Sequence, residues 1–268
     1  MLTIHASKQE TITLNDKEFF FLAGIIGSDR LLGVEDPFVG YLTEEIAEEW
    51  ENAKQSLLSK QYLIQEEGGE LSIPPEVFSR VAIAGLAERA CWLKYETQVK
   101  SFEGYLHVTD ERVIQVCRSS EDNRCYMLSE LGTIEQACDQ LVEDLALSDH
   151  NWGDIPALLL SRKEFGDIYT SAPLHSGEEI GDRLARLTDD AEGSIALAKC
   201  MKNKISSGEL QLSIWNGTSW ESQNAAFIVN ESMNWLLRMS LEGDQDWLTA
   251  APATKEQFRH MLLMWLKQ

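Results

Sequence analysis

The order of elements read along the first half of the chain returns along the second, and nothing else in the sequence limits the fold as tightly. In the first half, "TITL" (residues 11–14) alternates like a strand. "NDKEFFFLAGIIG" follows as a helix capped by Asn15 or Asp16 and ended at Gly27. A loop marked by Gly33, Pro37 and Gly40 leads to a helix over Thr43 to Tyr62, with Ile46, Trp50, Ala53, Leu57 and Leu58 on one face. Pro74 and Pro75 open another helix. "CWLKYETQ", "FEGYLHVTDERVIQVCRS" and "RCYMLSEL" then read as antiparallel strands, and "GTIEQACDQLVEDLAL" as a helix.

The second half runs the same way. "IPALLLSRKEFGDIYT" pairs an apolar run with a "KEF" that opens a helix, as "ITLNDKEFFF" does. "SGEEIGDRLARLTDDAEGSIALAKCMKN" again reads as helical. "ELQLSIWNG", "WESQNAAFIVNESMNWLLRMSL" and "DWLTAAP" read as three strands, and "TKEQFRHMLLMWLKQ" as a closing helix. The expected fold is α+β: a pseudo-twofold duplicated unit with a central antiparallel sheet and flanking helices. Its subdomains are 1–147 and 148–268, sharing one core, because no Ser/Gly-rich or Pro-rich linker divides them.

The stretch "LTEEIAEEWENAKQSLLSKQYLIQEEGGELSI" (residues 42–73) has the outline of a helix followed by a β-wing, so the N-terminal segment is winged-helix-like. Charge argues against DNA as its ligand. The helix carries Glu44, Glu45, Glu48, Glu49 and Glu51 against Lys54 and Lys60. The whole chain of 268 residues has 44 acidic and 23 basic side chains, a formal net charge of −21. DNA binding needs cations that displace counterions from phosphates, and this surface would be repelled. Anionic membranes are disfavoured for the same reason. No apolar run approaches the roughly 18 residues of a membrane span, and "MLTIHASKQETITL" has no signal-peptide pattern. The expected location is the cytoplasm. Five widely spaced cysteines, an odd number with no CxxC, are expected to be free thiols.

Catalytic patterns are missing. The chain has no GxxxxGK[ST], GxGxxG, GxSxG or HExxH, and its five histidines stand alone. His107 could act as a base but reads more simply as a core or surface histidine. "EGDQDW" (242–247) and "LTDDAEG" (187–193) lack the ligand spacing of a calcium loop and read as solvated turns. The expectation is no enzyme, no catalytic or metal-ligating residue, and no cofactor.

Glu18-Phe19 to Leu22, Pro37, Glu44-Glu45 to Leu57-Leu58, Leu71 to Ala87, Gly243-Asp244 with Trp247 and Pro252, and Phe258 to Leu266 together follow a pattern. It resembles that of the EspG family of mycobacterial type VII secretion chaperones. The resemblance implies a pseudo-twofold α+β fold and a non-catalytic protein that keeps a small helical client soluble. It also implies that a hairpin loop and the C-terminal helical region touch the client. The matching loop is "RSSEDNR", so the partner-binding residues expected are Ser119, Ser120, Glu121, Asp122, Asn123 and Arg124. Two rival readings are a winged-helix-related regulator, which would need a basic face, and an enzyme built on an unrecognised carboxylate pair.

Overall fold

The computed structural model describes residues 11–28, 30–150, 155–242 and 245–268. The architecture is α+β, with a large antiparallel sheet and eight α-helices among the described residues. The chain divides into two compact units, which share out β4 (Arg89–Thr97) and β5 (Ser101–Val108).

The first unit comprises residues up to Trp92, Glu103–Ile134 and Ile214–Gly217. Its strands run in the order β1 (Ile12–Asn15), β7 (Cys125–Gly132), β6 (Val113–Arg118), β5, all antiparallel. Ile12 faces Leu128 and Leu14 faces Tyr126 across β1 and β7, and Val116 faces Leu128 across β6 and β7. These side chains fall on one face of the pleat. That face is covered by α1 (Asp16–Ile25), α2 (Thr43–Ser59) and α3 (Pro75–Leu86), whose Phe19, Leu22, Leu57, Val77 and Val81 complete the core.

The join between α1 and α2 is built around Glu18. Asn15 caps α1: its side chain accepts from the Glu18 N–H at 2.8 Å, and the Glu18 carboxylate accepts from the Asn15 N–H at 2.8 Å. The same carboxylate, fully buried, accepts from Ser56 Oγ at 2.6 Å and Lys60 Nζ at 2.7 Å on the second helix. Gly24 lets the Trp50 ring lie against α1, since a Cβ there would stand 2.8 Å from it. Between α2 and α3 stands a separate two-stranded hairpin, β2 (Ile64–Gln65) and β3 (Leu71–Ser72), turned through Gly68 and Gly69 at φ +126° and +89°.

The second unit comprises Leu93–Phe102, Glu135–Ser213 and Thr218–Gln268. Its strands run in the order β9 (Ser206–Trp215), β10 (Trp220–Asn230), β11 (Met233–Glu242), β12 (Gln245–Pro252), β8 (Leu158–Ser161). One face carries Leu158, Leu160, Ile228, Trp235, Leu237, Leu248 and Ala250 into a core with α5 (Arg162–Ser171), α6 (Gly177–Thr188) and α7 (Ala191–Lys202). Phe227, one residue from Ile228, points to the opposite face and meets Phe258 of α8 (Lys255–Leu266) edge-on at 5.7 Å. Beside α8 runs α4 (Ile134–Asp144). Lys255 pairs with Glu143 at 2.7 Å, Arg259 with Asp139, and Lys267 with Glu135 at 2.6 Å, a descending register that sets the two helices antiparallel.

The helical stretch from Ser176 to Asn203 divides at the turn read in "LTDDAEG": Asp189 takes a left-handed conformation (φ 54°) at the end of α6 and Asp190 caps α7 through the Gly193 N–H at 2.7 Å. One expectation is corrected. The stretch from Trp220 to Leu241 is two strands: Asn230 Oδ1 accepts from the Ser232 N–H at 2.9 Å and turns the chain without Gly or Pro. Asp190 of "LTDDAEG" thus caps a helix, while Gly243 and Asp244 of "EGDQDW" lie outside the described residues. All five cysteines are free. Along the chain, strand, three helices, four strands and helix (β1, α1–α3, β4–β7, α4) are followed by strand, three helices, four strands and helix (β8, α5–α7, β9–β12, α8). The β2–β3 hairpin occurs in the first series and has no counterpart between α6 and α7.

Candidate functional site

Residues 119–124 close the hairpin from β6 to β7, and the turn is held by its own polar groups. The Ser119 N–H donates to Cys125 O at 2.8 Å and the Cys125 N–H to Asp122 O at 2.9 Å. Ser119 Oγ accepts from the Glu121 N–H at 3.2 Å, and Asp122 Oδ1 from the Arg124 N–H at 3.0 Å. That backbone donor is the main reason the Asp122 carboxyl titrates below its usual range. Arg118 donates to Asn123 O at 2.6 Å, lies over the Tyr126 ring at 5.1 Å and pairs with Glu35 at 3.3 Å. The Asp16 N–H donates to Arg124 O at 3.0 Å, so the turn is anchored to the start of α1.

Ser120, Glu121, Asn123 and Arg124 remain exposed, while Ser119 and Asp122 are half-buried. The six expected partner-binding residues therefore form one compact, mixed-charge turn on a rigid hairpin. Within the turn Ser119 Oγ is engaged by the Glu121 N–H, and Asp122 by the Arg124 backbone and side chain.

In the second unit, a groove of about 960 Å³ runs along α8. Leu236, Arg238, Thr249 and Ala251 of β11 and β12 form one wall, and His260, Met264 and Trp265 of α8 the other. Arg238 pairs across the strands with Thr249, and Thr249 with the exposed Leu159 of β8, so Leu159 extends the same face. This groove depends on strand register, which the sequence does not spell out residue by residue. Its one-dimensional trace is the amphipathic closing helix.

His107 lies in β5, buried, with its ring stacked against Tyr105 at 6.0 Å. Among the described residues no group of three or more His, Cys, Asp or Glu gathers to hold a metal, and no helix is long and apolar enough to cross a membrane.

No protein-family model matches the chain, and no curated protein matches it by sequence. The fold does have a solved likeness: the type VII secretion system chaperone EspG5 of Mycobacterium tuberculosis, determined in complex with the PE25–PPE41 dimer. The match covers 96% of this chain and 95% of that one, at a TM-score of 0.63 and 11% sequence identity. The chain therefore has an EspG-like fold along nearly its whole length.

Proposed function

We propose that the protein is a non-catalytic cytoplasmic chaperone or adaptor, which holds a small helical secretion substrate of a type VII-like system. The observation that carries this reading is the end-to-end likeness to a chaperone solved in complex with the PE25–PPE41 dimer. Two surfaces give the reading a mechanism. The turn Ser119–Arg124 presents Glu121 against Arg118 and Arg124, and such mixed charge selects among partners and sets orientation. The groove beside α8 offers Leu236, Ala251, Met264 and Trp265 to the apolar face of a helix.

The pseudo-twofold duplication belongs to the same reading, with halves 1–147 and 148–268. Its support is the repeated order of elements and the matched openings Asn15–Glu18–Phe19 and Ser161–Glu164–Phe165. In each opening a strand-end cap accepts from the backbone of a Glu three residues on, followed by a buried Phe.

The test begins with co-expression of the chain and the small helical proteins encoded beside it, then titration of a purified client. Replacing Ser119–Asn123 by a two-residue turn removes no core residue, so thermal melting should hold. Client affinity should fall by about tenfold or more, equivalent to about 1.4 kcal/mol. Met264→Glu should weaken it through the groove independently. If no helical protein binds, the reading fails. If both variants bind as the parent does, these two surfaces are wrong.

A further inference from the structure

The β2–β3 hairpin is a two-stranded sheet separate from the large one. Ile64 pairs across from Ser72 and Gln65 from Leu71, so Ile64 and Leu71 point to opposite sides. They are 45% and 39% exposed, and no residue from Ile64 to Ser72 is buried. Phe78, in the first turn of the following helix α3, is 48% exposed. An isolated two-stranded hairpin is marginal in water by itself. This one adds no buried residue to the core, stands outside the large sheet, and has no counterpart in the second series of elements.

The charge around these side chains has one sign. From Gln61 to Ser79 there are four carboxylates, Glu66, Glu67, Glu70 and Glu76, and no Lys or Arg. The two flanking cations are already engaged. Lys60 is bound to Glu18, and Arg80 is buried, donating to Glu76 O at 2.7 Å. Glu66 and Ser72 bond across the hairpin at 3.0 Å, while Glu67, Glu70 and Glu76 are exposed.

From this we infer that the hairpin and the first turn of α3 dock a cationic, amphipathic segment of a partner protein. Lys or Arg of that segment meets Glu66, Glu67 and Glu70, and its apolar side chains cover the exposed apolar residue on one face of the hairpin, Ile64 or Leu71. Charge complementarity selects the occupant. A second copy of this chain brings a further net charge of −21, and nucleic acid or an anionic membrane brings phosphates, so each is repelled. The inference uses none of residues 118–124 and nothing of the groove beside α8, and it stands or falls apart from the client reading.

The probe is a synthetic Lys/Leu amphipathic helix with a fluorescent label, titrated against the full chain. An equally charged peptide with its Leu replaced by Ser serves as the comparison. The parent should bind the amphipathic helix more tightly than the polar one. Glu66→Gln/Glu67→Gln/Glu70→Gln should weaken it about tenfold or more, and so should Ile64→Ser/Leu71→Ser, both with unchanged melting temperature. Neutralising three exposed carboxylates elsewhere, Glu178→Gln/Asp182→Asn/Glu192→Gln, should change affinity by less than about twofold. Three outcomes overturn the proposal: equal loss from that distant triple variant, which marks attraction by overall charge; no loss from the Ile64 and Leu71 pair; or dimerisation of the chain through the hairpin.

Discussion

His107 carries a cost that appears only in acid. It sits in mid-strand of β5, 3% exposed, and burial pushes its pKa down to about 4. An unfolded histidine titrates near 6.5. At neutral pH both states are uncharged there and the residue is neutral to stability. As pH falls from about 6.5 towards about 4, the unfolded chain takes up a proton that the folded chain refuses, so stability is lost across that window. The loss approaches about 3 kcal/mol at the acid end. His107→Leu should remove it. In urea unfolding at pH 7, 5.5 and 4.5, the variant should gain steadily on the parent as the pH drops. A constant difference between the two would show that His107 is not the acid-sensitive group. The sequence showed a histidine in a strand, but not which side of the strand it faced. That depends on Ile114 and its neighbours across the ladder.

Among the elements, α1 and α2 are joined through the buried Glu18 carboxylate. The "KEF" motif needs its Glu because Glu18 is at once the third residue of a capping box and the acceptor for Ser56 and Lys60. Lys60→Met would leave that carboxylate buried with its neutral donors alone. Removing one partner of a buried pair costs about 3–5 kcal/mol when both are enclosed. The Lys60 side chain is 37% open, so about 2 kcal/mol is expected. Lys60→Met/Glu18→Gln should recover part of that loss in a double-mutant cycle followed by chemical denaturation. Zero coupling energy would remove the ion pair from the account. Elements with such ends were legible in the sequence: α1 from Asn15 and Gly27, α3 from Pro74 and Pro75, and α4 from an inward face of Ile134, Cys138, Leu141, Val142 and Leu145, all buried. The turn between α6 and α7 was legible in "LTDDAEG", but the left-handed Asp189 within it was not, because that backbone conformation is usually left to Gly or Asn. The turn between β10 and β11 was hidden because it holds no Gly or Pro and is closed by the Asn230 side chain.

At the scale of the whole molecule, what could be read in advance was the order of elements and the sign of the charge. The turn Ser119–Arg124 was legible because its residues are local. The groove beside α8 was not, since Leu236, Thr249 and Leu159 come together only through strand pairing. Charge also bears on any meeting with nucleic acid, and here the placement of the cations matters as much as their number. Lys17 pairs with Glu49 at 2.9 Å, Lys100 with Asp144 at 2.6 Å, Lys255 with Glu143 and Lys267 with Glu135, so these amines are spent on the protein's own carboxylates. A duplex approaching α2 meets Glu44, Glu45 and Glu48 at the surface. Binding would have to break existing ion pairs and bring phosphates up to carboxylates, with no counterion release in return. No complex with duplex DNA should therefore form at about 0.15 M salt by fluorescence anisotropy, and lowering the salt to about 0.05 M should bring little gain, because few phosphates could be neutralised. A sub-micromolar affinity with a steep salt dependence would mean that the described cations are not the ones that govern the surface, and would favour a regulator over a chaperone.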